Sequence, residues 1–108
     1  MEIDKLIITA AITGGASPES NPYLPKTPKE QVQAAIDCYN AGASIVHLHG
    51  RNPKTKKSEQ KAEWFKEAIG PIREKCNIII NVTTGGAGDV WMENGYTRKS
   101  KKKVLRAE

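Results

Sequence analysis

Two histidines separated by one residue, His47-Leu48-His49, are the residues in this chain best suited to chemistry. On a β-strand, alternate side chains project to the same face, so Ile45, His47 and His49 point one way while Val46 and Leu48 point the other. If Val46 and Leu48 pack against helices, the two imidazoles share the opposite face and can reach a single ion. Neutral imidazole nitrogen suits zinc, iron, copper or nickel. The same spacing also fits two hydrogen-bonded core histidines, and both readings stand at this point. Arg51, two residues on, offers a guanidinium for an anionic substrate group, with a surface salt bridge as its alternative. Thr83-Thr84-Gly85-Gly86 combines hydroxyls with turn amides that could cradle a carboxylate or phosphate, although Gly-Gly after a strand is also an ordinary turn. Thr13-Gly14-Gly15 carries the same two readings.

The elements around these residues place them together. Leu6–Ile12 is apolar without clean alternation and reads as a strand buried on both faces, ending at Thr13-Gly14-Gly15. Residues 16–26, with Pro18, Pro22 and Pro25, read as a loop. Thr27 opens a helix: its hydroxyl can cap the first turn, Pro28 fits the first helical position, and Glu30 completes a capping box. Val32, Ala35, Ile36 and Tyr39 form its apolar stripe, and Gly42 ends it as a left-handed cap. A second strand covers Ser44–His49. A second helix is expected from about Glu59 to Lys75, striped by Phe65, Ala68, Ile69 and Ile72, with a kink at Gly70-Pro71. The third strand, Ile78–Thr83, runs into the glycine turn.

The fold class is therefore α/β, a βαβαβ unit with a parallel sheet. Function in such sheets collects at the carboxyl ends of the strands. Here these ends are Thr13-Gly14-Gly15, His47–Arg51 and Thr83–Gly88, all on one edge. Beyond Gly88 the pattern fails, so residues 1–88 read as the folded unit and 89–108 as an irregular, disordered basic tail.

Bulk properties exclude several functions. The net charge is +5, but six of the seventeen basic residues and one of the twelve acidic ones lie from Arg98 onward. That leaves eleven of each in positions 1–97, a neutral body that argues against a nucleic-acid-binding surface. No apolar run approaches the roughly 20 residues that span a bilayer, and the start shows no secretory pattern. Cys38 and Cys76 are isolated, consistent with reduced thiols and a cytoplasmic location. Neither cysteine is placed to complete a metal site. Asp89 is the nearest carboxylate with access, so no third ligand is evident for His47 and His49.

With these residues in view, the chain resembles the β-keto acid cleavage enzymes, typified by the 3-keto-5-aminohexanoate cleavage enzyme of lysine fermentation. The matching text is Ile8–Gly14, Leu24–Gln31, Ala41–His49 with Arg51, and Thr84–Ala87, in order and at family-like spacing. The resemblance implies a (β/α)8 TIM barrel, of which this chain supplies the first three strands. It implies a homo-oligomeric transferase that binds zinc and condenses a β-keto acid with acetyl-CoA, giving acetoacetate and a new CoA ester. His47 and His49 are then zinc ligands, and Thr83, Thr84, Gly85 and Gly86 hold the carboxylate end of the substrate. The resemblance names no catalytic base here, because the family's base and its acidic third zinc ligand come from later strands. Gly15-Ala16 stands where relatives acting on an amino substrate carry a glutamate. A barrel needs about 250 residues, so the expectation is a truncated or frame-disrupted product that is inactive alone. The rival reading is a small non-enzymatic α/β module binding an anion at its glycine turns. Ranked last is a nucleic-acid or membrane-surface binder acting through its basic tail.

Overall fold

Three parallel strands and two helices make up the body of the chain. A computed structural model describes residues 4–84, together with the backbone of 90–93 and 96–99. The strands β1 (Thr9–Ala11), β2 (Ile45–Leu48) and β3 (Ile79–Val82) form one sheet in the order β1-β2-β3. Helix α1 (Pro28–Asn40) connects β1 to β2, and α2 (Ala62–Lys75) connects β2 to β3. The α/β reading and the βαβαβ order hold.

Helix α1 begins where its sequence dictates. The Thr27 hydroxyl accepts from the Glu30 amide, and the Glu30 carboxylate accepts from the Thr27 amide, so two end donors are satisfied reciprocally. It ends in a Schellman arrangement: Ala43 N–H donates to Cys38 O and Gly42 N–H to Tyr39 O, with Gly42 at φ 107°. Helix α2 starts three residues later than expected. Ser58 bridges to Arg51 and Glu59 N–H donates to Gly50 O, so these residues extend the end of β2 and are unavailable to a helix. As expected, α2 runs through Pro71 and ends at Lys75.

The core lies between the sheet and the helices. Val46 and Leu48 from β2 pack with Val32, Ala35, Ala43, Ala68, Ile72 and Ile78. The expectation that the first strand is buried on both faces is corrected. Only Thr9–Ala11 pairs, and Leu6, Ile7 and Ile8 are exposed, Leu6 at 78%. Helices cover one face of the sheet, and among the described residues nothing covers the other, where Ile79 is 61% exposed. The reading of 89–108 as irregular is also corrected in part: β4 (Val90–Glu93) and β5 (Tyr96–Lys99) pair antiparallel, with Glu93 opposite Tyr96. Val90, Trp91, Tyr96 and Thr97 favour extended backbone.

The loops at the carboxyl edge are tied together by Arg51, which is wholly buried. Its Nη1 donates to Lys56 O at 2.9 Å, and its Nη2 to Ala16 O at 2.7 Å and Gly14 O at 3.2 Å. One guanidinium thus joins the loop after β1 to the loop after β2. Lys56 adopts φ 64° within a turn that Asn52 stabilises by accepting from the Lys54 and Thr55 amides. Gly50 is confined as well: a Cβ there would fall 2.5 Å from Glu59 O and 3.1 Å from Phe65 Cε2.

Two substitutions test this edge. Gly50→Ala pushes a methyl into backbone and is expected to cost about 1–3 kcal/mol, read as a lower denaturation midpoint. Arg51→Met leaves three carbonyls without their donor and is expected to cost about 2–3 kcal/mol. It also raises hydrogen exchange in residues 14–16, beyond the change in distant α2.

Candidate functional site

Parallel pairing in register brings the carboxyl ends of the three strands to one edge. His47 lies opposite Ala11 on one side and Asn81 on the other, and Leu48 lies opposite Val82. The Thr83 amide donates to Leu48 O at 2.9 Å, so the turn after β3 starts against the end of β2. The burial of Val46 and Leu48 on the helix side sends His47 and His49 to the open face, as alternation requires.

The two imidazoles meet there. Their centroids are 5.1 Å apart with planes at 81°, one ring edge-on to the other. Both rings are half-buried. His47 Nδ1 lies 2.5 Å from the Asn81 Oδ1. The carbonyl of His49 accepts from Gln31 Nε2 at 2.8 Å, and Gln31, on α1, is fully buried. Helix α1 therefore fixes the backbone of the second histidine, while β3 supplies the partner of the first. Burial lowers the His49 pKa below its ordinary 6.5, and the nearby His47 and Arg51 lower it further. The ring therefore stays neutral, with a lone pair available, at neutral pH.

The spacing of the two rings is compatible with both supplying nitrogens to one ion. Zn–N bonds of about 2.0–2.1 Å at a tetrahedral angle put the centroids of two ligating imidazoles about 5 Å apart, close to the 5.1 Å observed. The pair is not a complete site, because no group of three His, Cys, Asp or Glu side chains converges among the described residues. Asp89 lies outside those residues. Cys38 and Cys76 are free thiols packed against the helix-side core, away from the open face that carries the imidazoles.

The other expected residues divide. Thr83 is half-buried and Thr84 exposed at the carboxyl edge, whereas Gly85 and Gly86 lie outside the described residues. Arg51 does not form the surface salt bridge that was its alternative: it is buried, and its paired nitrogens face loop carbonyls. Thr13 is 6% exposed, and its hydroxyl has no partner among the described residues. Gln31 and Asn81 are the residues that sequence reasoning missed. Asn81 had a signal, being the one polar residue in Ile78-Ile79-Ile80-Asn81-Val82 and falling level with His47 when the strands are aligned. Gln31 had a weaker one, a polar residue beside the apolar stripe of α1.

A 3-keto-5-aminohexanoate cleavage enzyme from Fusobacterium nucleatum subsp. nucleatum is 47% identical over 87 residues, covering 79% of this chain and 32% of that protein. The enzyme of the same name from Acetoanaerobium sticklandii is 45% identical over 87 residues, with the same coverage of both chains. A 3,5-dioxohexanoate:acetyl-CoA acetone transferase from Paraburkholderia graminis is 42% identical over 84 residues, covering 77% of this chain and 27% of that protein. The chain thus spans about a third or less of the length of the curated relatives it matches. The family model for the beta-keto acid cleavage enzyme matches residues 5–107, reaching well into the basic segment that sequence reasoning had set apart. With that match over nearly all its length, the chain belongs to the beta-keto acid cleavage enzyme family.

Proposed function

We propose that this chain is the first three strands of a zinc-dependent (β/α)8 enzyme that converts a β-keto acid and acetyl-CoA to acetoacetate and a new CoA ester. The 5.1 Å imidazole pair at the carboxyl edge of a parallel sheet carries this reading. Zinc held by His47 and His49 would act as a Lewis acid on the keto oxygen. The chain's own residues then bind and orient. Thr83 and Thr84, with Gly85 and Gly86, present hydroxyls and amides to the substrate carboxylate. Arg51 serves this site from beneath, holding the loop after β1 against the loop after β2. The remaining barrel strands supply the third ligand and the base, so residues 1–108 alone bind zinc weakly and turn over no substrate.

Support for the reaction class comes from the relatives' names, which join β-keto substrates to acetyl-CoA. Gly15-Ala16 offers no carboxylate to pair with a substrate amine at that end. The anion-binding module is the second reading, and the exposed Thr84 beside half-buried Thr83 keeps it in play.

Calorimetric titration of the full chain with Zn2+ separates the two. The expected result is a dissociation constant in the micromolar range or weaker, abolished by His47→Ala or His49→Ala. Stabilisation by phosphate with indifference to Zn2+ would instead favour the anion-binding module.

The depressed His49 pKa gives a pH test on metal-free protein. The unfolded chain takes up its proton near pH 6.5, before the folded chain does. Stability is therefore complete above that pH and falls as pH drops through it toward the folded value. His49→Gln is expected to flatten this limb of the stability profile. An unchanged limb would assign the pH dependence to other groups.

A further inference from the structure

Asn81 lies level with His47 across the β2–β3 ladder, and its Oδ1 is 2.5 Å from His47 Nδ1. With the amide oxygen, which only accepts hydrogen bonds, turned toward it, the facing nitrogen is the donor and carries the proton. A neutral imidazole with its proton on Nδ1 has its lone pair on Nε2. We propose that Asn81 is a positioning residue that holds His47 in the Nδ1–H tautomer and presents Nε2 as the nitrogen available to a metal. The tautomer assignment stands on this contact alone; the metal half of the inference rests on the zinc reading above.

The arrangement follows from the sheet. Parallel register fixes Asn81 beside His47, and alternation puts both side chains on the face away from α1 and α2. Its neighbours on the strand, Ile79, Ile80 and Val82, have no polar group to offer. Asn81 is exposed and outside the hydrophobic core, so its identity matters little to packing. His49 needs a different device. It has no side-chain partner of this kind among the described contacts; Gln31 holds its backbone carbonyl, and its ring lies roughly perpendicular to that of His47. An amide on one histidine thus fixes the direction of the pair. Partners that orient ligating histidines in this way are typically worth 10–100-fold in metal affinity.

The test is nitrogen-15 NMR of the full-length chain without metal, at a pH where both imidazoles are neutral. His47 is expected to show a protonated Nδ1 and an unprotonated Nε2. Asn81→Asp keeps an acceptor and is expected to preserve that pattern. Asn81→Ala is expected to release it toward Nε2–H. Wild-type His47 protonated on Nε2 would overturn the proposal, as would Asn81→Ala leaving Nδ1–H unchanged. If Asn81→Ala does not fold, the wild-type and Asn81→Asp spectra still decide. Titration with Co2+ reads the second half: Asn81→Ala is expected to weaken binding 10–100-fold, with Asn81→Asp near wild type. The expected tautomers without Co2+ binding in any variant would sink the zinc reading and leave the tautomer assignment intact. Binding that is equal in all three proteins would overturn the positioning role toward the metal.

Discussion

The placement of β2 between two parallel neighbours is the constraint on which the rest of the edge depends. Val46 and Leu48 are at most 1% exposed, and they fix which face of the strand is inward. Burying two such side chains contributes about 3–6 kcal/mol. A one-residue slip would send them to the open face and put His47 and His49 into the helix-side core. The histidines therefore take their direction from residues that never touch a ligand. The pairing with β1 and β3 then decides their company: Ala11, small, on one side and Asn81, polar, on the other.

A second tier of order comes from buried polar groups at the strand ends. Arg51 and Gln31 are both fully buried, and both spend donors on backbone carbonyls of loops or strand ends. Loop carbonyls are costly to bury without donors, so these side chains allow the carboxyl edge to be compact. Burying a guanidinium near an imidazole has an electrostatic consequence as well. The positive charge of Arg51 opposes protonation of His49 and acts in the same direction as burial. An edge tied by a cation thus favours the neutral histidine, the form in which imidazole has a lone pair to give.

Much of this was legible in the sequence, and the residues show why. The capping box at Thr27 and Glu30, the glycine stop at Gly42 and the shared face of His47 and His49 are local rules, and each one holds. The failures were non-local. Leu6–Ile8 is apolar enough for a buried strand, but burial needs a partner surface, and among the described residues there is none. Glu59 looks helical until Gly50 claims its amide. Arg51 shows the limit most clearly. Its charge suggested a surface or ligand role, and only the fold reveals three carbonyls arranged to receive it. Asn81 fell between these cases, because its partner becomes obvious only when the third strand is aligned against the second.

The open face gives these observations a common meaning. A three-stranded sheet covered by helices on one side leaves His47, His49 and Asn81 on the other, alongside exposed Ile79. Among the described residues, no apolar side chain of the core packs onto the face that carries the two adjacent imidazoles. Packing therefore does not explain them, and the polar partner at Asn81 adds no apolar burial. The features make sense together if this face is directed toward chemistry, with helix-side packing supplying stability and the opposite side left to polar groups. That division, apolar residues holding the register and polar ones filling the face it exposes, accounts for where His47, His49 and Asn81 lie.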